Sequence, residues 1–270
     1  MDAILKNNQI YPIGEITIPQ GSGLVYEVIR VIDVAALFLD DHYERFINSA
    51  ATKKAGLPGP DEFTRLTERF IQALAKKDFN IKAILEPASG DLYLFESPSA
   101  YPDARLYAAG VHTELLPYRR EDPAAKIINP ELTSLAQTRR EETGAYELLL
   151  VDPQGNITEG ARSNLFFVQH SALITPPLDS VLPGVTRQRI IRAARAWGIE
   201  VREVRVSADS LDQYDGAFLS GTSPKILPIA SIGARNLASA ELGLIRDLIG
   251  AFDGAIEADL ESYRKKTRRP

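Results

Sequence analysis

The spacing of apolar residues divides the chain into short strands and amphipathic helices. The segment LVYEVIRVID, residues 24–33, is rich in β-branched and aromatic side chains and predicts a strand, and ILKNNQIYPI before it predicts a hairpin with an Asn-Asn turn. Residues 40–57 and 60–77 carry apolar side chains at helical spacing, and Gly56 is expected to close the first of these two helices. Further strands are predicted around 81–87, 91–96 and 104–109.

The second half of the chain continues this alternation. AYELLLVDPQGNITEG and SNLFFVQHSALITPP each predict two strands joined by a turn, and GVTRQRIIRAARAWGIEV predicts a helix with Gly198 at its carboxyl end. VREVRV and GAFLS read as strands. Because hairpins outnumber βαβ units, the pattern predicts an α+β fold. Two more helices are expected at 131–143 and 239–253.

A polar stretch interrupts the pattern near the middle. The segment HTELLPYRREDPAA contains two prolines and several charges. It is therefore interpreted as a domain boundary or connection near residues 113–123.

Composition and charge remove several classes of function. The chain of 270 residues is 44% hydrophobic and 25% charged with a net charge of −5, which is typical of a globular protein and does not favour nucleic acid. The basic end YRKKTRRP is expected to be solvated.

The absence of cysteine excludes disulfides and thiolate metal sites, and the three histidines lack ligand spacing, so no metal site is expected. Without a leader-like start or an apolar run of about eighteen residues, the sequence predicts a cytoplasmic protein with no membrane segment.

One lysine stands in unusual surroundings. Lys126 lies between two alanines and two isoleucines, whereas most other lysines occur in charged pairs. An amine in an apolar pocket loses its proton easily and can form a Schiff base with a carbonyl compound. The alternative is a lysine at a strand edge whose ammonium group reaches water.

Two short stretches suit an anion. In LPGVTRQRII a Pro-Gly turn leads into a helix whose first amides belong to Val185 and Thr186, and in FLSGTSPKI Pro224 suits the first turn of a short helix. Either stretch could be an ordinary capped turn. Together with Lys126 they favour a phosphate-bearing cofactor bound through a lysine, which indicates pyridoxal 5′-phosphate. Glu159 is a candidate partner for its ring nitrogen, although a glutamate after a turn is commonly just solvated.

The order of these blocks resembles a known family. YEVIRV, LDDHYERFINSA, AKIIN, ITEGARSNLFFV, LPGVTRQRI and FLSGTSPKILPI closely resemble the class IV, fold-type IV, pyridoxal-phosphate enzymes, and the likeness runs from about residue 4 to 230. That family includes branched-chain and D-amino acid aminotransferases and aminodeoxychorismate lyase. The resemblance implies a two-domain fold with the cofactor between the domains. Residues 1–117 would form the smaller domain, and residues 118–270 the larger one that carries the lysine.

The resemblance also assigns roles to matching residues. Lys126 would be the Schiff-base lysine and proton shuttle, Glu159 the partner of the pyridine nitrogen, and Arg45 a phosphate ligand, although the helical pattern alone places Arg45 on a solvated face. Arg119, seven residues before the lysine, is interpreted as a member of a structural ion pair. The remaining assignments are phosphate donors and one aromatic residue of the substrate pocket: Val185, Thr186, Thr222 and Ser223, and Tyr26.

The activity that the resemblance implies is transamination between an amino acid and a 2-oxo acid, by a homodimer. The alternative enzyme is a 4-amino-4-deoxychorismate lyase that releases pyruvate with the same lysine and cofactor. The alternative outside catalysis is a cofactor-binding protein that has lost its chemistry. Pro130 follows Asn129 where some branched-chain enzymes have a tyrosine, and Lys82 stands in a strand without the arginine-glycine pattern of D-amino acid enzymes. These departures leave the amino donor open.

Overall fold

The computed structural model describes residues 3–98 and 100–267 and confirms the α+β prediction. Short 3-10 helices cover Ala208–Gln213 and Ser239–Glu241. The α-helices are α1 (Leu39–Thr52), α2 (Pro60–Leu74), α3 (Ala104–Ala109), α4 (Pro130–Thr143), α5 (Val185–Ala196) and α6 (Gly243–Thr267). The strands are β1 (Ala3–Lys6), β2 (Gln9–Pro12), β3 (Val25–Ile32), β4 (Ala35–Ala36), β5 (Phe79–Glu86), β6 (Asp91–Ser97), β7 (Val111–Pro117), β8 (Glu147–Val151), β9 (Asn156–Gly160), β10 (Asn164–Gln169), β11 (Ala172–Thr175), β12 (Val201–Glu203), β13 (Val206–Ser207), β14 (Gly216–Gly221), β15 (Lys225–Ile232) and β16 (Arg235–Asn236).

The chain forms two compact units, and neither is a single stretch of sequence. The first unit comprises Met1–Ala100, Ala125–Pro130 and Ala255–Pro270, and the second comprises Tyr101–Ala124 and Glu131–Gly254. Lys126 therefore belongs to the first unit by its packing. The boundary after residue 117 stays a prediction about domain organisation.

The first unit is built on an antiparallel sheet with strand order β2-β1-β6-β5-β3-β4. Helices α1 and α2 bury their apolar stripes in its core, where Phe46, Phe63 and Phe70 are fully enclosed. Each such side chain contributes roughly 1.5–3 kcal/mol when it leaves water. The apolar residues that predicted these two helices are therefore the residues that pack in the core. Helix α1 ends at Thr52 rather than at the expected Gly56.

The second unit is built on a mixed sheet with order β12-β11-β10-β14-β15-β7-β8-β9-β13, to which β16 adds beside β15. Strand β7 lies in the interior of this sheet, parallel to both β15 and β8. The interpretation of residues 113–123 as a connection was therefore wrong for 113–117. Four of the charged residues in HTELLPYRREDPAA, Arg119, Arg120, Glu121 and Asp122, follow the strand.

Residues 104–109 form helix α3 and not the predicted strand. The Asp103 carboxylate accepts hydrogen bonds from the amides of Arg105 and Leu106, each at 3.0 Å, and so caps the helix. The Pro-Asp pair that precedes this helix was the signal in the sequence that could have identified it.

Helix α6 is longer than the predicted 239–253 helix and continues to Thr267. The last three residues of the basic segment YRKKTRRP lie outside the described residues. Among the helices in the described part of the chain, none combines the length and the apolar character needed to cross a bilayer.

Candidate active site

The segment that carries Lys126 is fixed beside β3 in the first unit. Ile127 forms an antiparallel bridge with Val25, and the Tyr26 amide donates to the Lys126 carbonyl at 3.0 Å. On the other side, the Lys126 amide donates to Ser49 Oγ at 3.0 Å, while Ser49 donates to the carbonyl of Arg45. The backbone of Lys126 is thus held by both the sheet and helix α1.

The side chains of Lys126 and Tyr26 are in contact. Lys126 Nζ lies 4.7 Å from the centre of the Tyr26 ring, and Lys82 Nζ lies 5.3 Å from the same centre. In the sequence, Lys82 was noted only as part of a strand that lacks the arginine-glycine pattern of D-amino acid enzymes. Its position follows from β5, where Lys82 pairs with Val28, two residues beyond Tyr26 on β3.

Arg45 is buried, so its placement on a solvated face was wrong. Its Nε and Nη2 donate to the two carboxylate oxygens of Glu27, each at 2.7 Å, and His42 Nδ1 lies 2.8 Å from the same carboxylate. Burial alone raises the pKa of Glu27, but Arg45 and His42 hold it well below its ordinary value. Burial lowers the pKa of His42, against the effect of Glu27 and with help from the charges of Arg45 and Lys126. The Glu27 carboxylate therefore holds the Arg45 guanidinium in a fixed orientation.

In the second unit the Glu159 carboxylate is enclosed by hydrogen-bond donors. Its Oε2 accepts from the Leu182 amide at 3.0 Å and from Asn164 Nδ2 at 3.2 Å. Its Oε1 lies 3.0 Å from Arg120 Nε. Glu159 is only 2% exposed, so the interpretation as a solvated glutamate does not apply. The arginine in this ion pair is Arg120, and the structural ion pair expected for its neighbour Arg119 stays a prediction.

Close packing around Glu159 explains why the TEG and LPG motifs each end in a glycine. Asn164 bonds both Glu159 and the Leu182 carbonyl, and a Cβ at Gly184 would overlap its Oδ1. A Cβ at Gly160 would likewise overlap Ser163 Oγ. Both glycines are therefore required for close packing around the carboxylate. The Pro-Gly turn leads into α5 at Val185, as predicted, and Gly184 provides no side-chain cap, so the helix start can serve an anion.

Thr222 and Ser223 lie in the tight turn between β14 and β15. Gly221 pairs with Lys225 across this turn, so the expected short helix at Pro224 is absent, and that prediction was wrong. Strand β14 pairs Ser220 with Asn164 of β10. The turn therefore belongs to the same part of the second unit as Glu159 and the start of α5.

Each of the two units supplies two kinds of reactive or binding group. The first unit supplies a primary amine held beside an aromatic ring and a buried guanidinium. The second supplies a carboxylate held by an arginine and a helix start for an anion. A primary amine suits covalent capture of a carbonyl compound, and the start of a helix suits an anionic group.

Comparisons with known proteins agree with this chemistry. Residues 24–232 match the profile of the family described as amino-transferase class IV. A probable branched-chain-amino-acid aminotransferase of Thermotoga maritima is 32% identical over 228 residues, which cover 82% of this chain and 81% of that protein.

Solved structures share the fold. A crystal structure of a provisionally named branched-chain amino acid aminotransferase from Thermotoga maritima superposes with a TM-score of 0.83 at 30% identity, over 94% of this chain and 95% of that one. A branched-chain amino acid aminotransferase of T.th. in complex with N-(5′-phosphopyridoxyl)-L-glutamate gives 0.83 at 22% identity, over 98% and 97%. A Legionella pneumophila protein provisionally named 4-amino-4-deoxychorismate lyase gives 0.80 at 22%, over 89% and 96%. At 22% identity, the last two show the fold alone.

Proposed function

The chain belongs to the class IV aminotransferases, and from this premise we propose that it uses pyridoxal 5′-phosphate to move an amino group between an amino acid and a 2-oxo acid. The donor proposed first is a branched-chain amino acid, because the relatives that support the family carry that name. The observation that carries the proposal is the position of Lys126, whose backbone is fixed by Tyr26 and Ser49 and whose amine lies against an aromatic ring.

The described residues fit this cofactor by their chemistry. An aldehyde requires a primary amine, which Lys126 supplies. A phosphate requires a cation and amide donors, which Arg45, the start of α5 and the Thr222–Ser223 turn supply. A pyridine nitrogen requires a carboxylate, and Glu159 is held in place by two hydrogen-bond donors and by the ion pair with Arg120.

When bound, pyridoxal 5′-phosphate would supply the aldehyde for Lys126 and a ring that accepts the electron pair left by proton removal. The Lys126 amine would then be released by the incoming amino acid and act as the base for the α-proton. A positioned acid–base group typically contributes about 10²–10⁴-fold to the rate.

Other residues would bind and orient. Glu159 would hold a proton at the ring nitrogen, and Arg45 would bind the phosphate with its guanidinium plane set by Glu27. Tyr26 would form one wall beside the amine and exclude water from it.

The experiment that tests this function follows one turnover of the cofactor-loaded protein. One equivalent of an L-amino acid, a D-amino acid or aminodeoxychorismate is added in separate experiments. The visible absorption band of the lysine-bound cofactor is recorded, and the released keto acids are quantified. A transaminase loses this band as one equivalent of 2-oxo acid appears, and regains it when a second 2-oxo acid is added. A band that returns unaided while pyruvate accumulates would identify the lyase instead, and a band inert to every donor would identify a non-catalytic binding protein.

Substitution of the lysine gives a second test. Lys126→Ala is expected to abolish turnover while the chain stays folded, because the amine is needed for chemistry and its backbone bonds are kept. Steady-state keto acid formation and circular dichroism check both points. Lys53→Ala, at an exposed position, is the matched control with unchanged turnover. Measurable turnover by Lys126→Ala would contradict the assignment.

A further inference from the structure

We propose that Arg120 is a positioning residue that keeps the Glu159 carboxylate ionised, so that the proton shared with the cofactor's ring nitrogen resides on the nitrogen. This inference rests on the proposed function, since it takes Glu159 as the partner of that nitrogen. It concerns a residue that neither the sequence motifs nor the resemblance identified.

The geometry places a fixed cation against the carboxylate. Arg120 Nε lies 3.0 Å from Glu159 Oε1, and Arg120 Nη2 donates to the Ala161 carbonyl at 2.9 Å. The side chains of Arg120 and Glu159 are 17% and 3% exposed. The bond to Ala161 therefore anchors the guanidinium on the chain just beyond Glu159, where water screens the pair little.

The Arg120 charge decides where one proton resides. A carboxylate and a pyridine nitrogen that share a proton can hold it on the nitrogen, which leaves the carboxylate charged, or on the carboxyl oxygen, which leaves both groups neutral. Burial of Glu159 favours the neutral arrangement, and a cation beside the carboxylate favours the charged one. A protonated ring is the better acceptor of electrons. Arg120 would thus support the chemistry without touching the substrate.

Three neighbours of Glu159 do not replace this charge. Leu182 and Asn164 donate hydrogen bonds but are neutral. The charge of Arg187 also acts on Glu159, but this arginine is paired with Glu203 at 3.0 Å. Arg120 therefore brings a full positive charge into direct contact with the carboxylate.

The chain offers a matched control beside Arg120. Arg119 has the same charge and is exposed. Arg119→Gln therefore removes one positive charge from the same segment without touching Glu159. Arg120→Gln keeps a donor for the Ala161 carbonyl but loses the charge, and Arg120→Lys keeps the charge.

The test is the 15N chemical shift of the ring nitrogen in each variant loaded with nitrogen-labelled pyridoxal 5′-phosphate. Arg120→Gln is expected to move the 15N shift of the ring nitrogen from the pyridinium position toward that of neutral pyridine. It should also lower kcat by about tenfold if the loss of the charge changes the pKa of the ring nitrogen by about one unit. Arg120→Lys should return the shift toward the parent value, and Arg119→Gln should leave it unchanged. If Arg120→Gln does not fold, Arg120→Met is measured in its place.

Glu159→Gln separates this inference from the function on which it rests. If Glu159→Gln moves the nitrogen shift and the Arg120 variants do not, the inference about Arg120 is overturned and the function stands. If Glu159→Gln leaves the shift unchanged, the assignment of Glu159 itself fails. An equal response to Arg119→Gln and Arg120→Gln would also overturn the inference, because it would show only a change in net charge.

Discussion

Three ionisable side chains buried together, Glu27, His42 and Arg45, make the first unit sensitive to acid. The folded protein holds His42 neutral, since its pKa is lowered by burial and by nearby positive charge. The unfolded chain binds a proton at His42 near the ordinary pKa of about 6.5. The unfolded state therefore binds more protons below that pH, and stability falls as the pH falls. The low pKa of Glu27 adds a second loss of stability below about pH 4.3.

The prediction is that His42→Gln reduces the pH dependence of the free energy of unfolding between about pH 7 and 5. One proton contributes at most about 1.4 kcal/mol per pH unit. Urea unfolding at several pH values measures the slope for both proteins. His170→Gln is the control, because the His170 side chain is 89% exposed. An unchanged slope in His42→Gln would show that the histidine titrates alike in both states.

Gly184 and Gly59 provide a matched pair of helix-start glycines. Each precedes a helix without a side-chain cap, but a Cβ at Gly184 would overlap Asn164, whereas a Cβ at Gly59 has open space. Gly184→Ala is expected to cost about 1–3 kcal/mol more than Gly59→Ala, since Asn164 must move. It should also weaken cofactor binding, because Asn164 holds Glu159. Urea unfolding and a cofactor titration measure the two effects, and equal costs for both variants would contradict the packing argument.

Single residues were predictable where an apolar setting marks them. Lys126 could be identified because its neighbours in sequence are apolar, and its segment pairs with β3. Only the family resemblance identified Arg45, and nothing in the sequence identified Arg120, because their partners Glu27 and Glu159 are distant in sequence. Helical spacing assigns Arg45 to a polar face and carries no information about a buried carboxylate on a neighbouring strand.

At the scale of elements, α3 depends on one capping side chain. Asp103 accepts from two amides of the first turn, and the helix has only six residues. Asp103→Ala is expected to destabilise the protein by about 1 kcal/mol, and Asp103→Asn by less, because asparagine also caps. Urea unfolding distinguishes the three proteins. Equal stability of all three would mean that α3 is held by its packing alone.

The local pattern predicted the amphipathic helices well, but it failed for strand β7 and for the turn at Pro224. Helix α2 buries Phe63, Leu66 and Phe70 at the predicted spacing. Strand β7 was missed because HTELLPYRREDPAA was interpreted as one polar segment with two prolines, although His112 and Glu114 alternate with the buried Val111 and Thr113 as in a strand. Pro224 fits either a helix start or a turn, and the pairing of Gly221 with Lys225 selects the turn. The local sequence alone does not distinguish the helix start from the turn.

At the scale of the whole molecule, the first unit needs the end of the chain. The Phe38 amide donates to Asp259 Oδ2 at 2.7 Å, and Ile256 and Leu260 are buried. Deletion of residues 255–270 is expected to destabilise the first unit by several kcal/mol, at roughly 1.5–3 kcal/mol for each buried apolar side chain removed. Hydrogen exchange should quicken in β3 and β5 and stay slow in β10 and β14. Equal quickening in all four strands would contradict this division.

The route of the chain also determines which gene fragments can be exchanged between relatives. Residues 101–124 leave the first unit and 125–130 return to it. A recombination breakpoint within 101–124 therefore takes β3 from one parent and the lysine segment from the other, and the bonds from Lys126 to Tyr26 and Ser49 must form between residues that did not evolve together. A breakpoint after Pro130 inherits them as one block. Chimeras of this chain should accordingly tolerate breakpoints after Pro130 better than breakpoints just before Ala125.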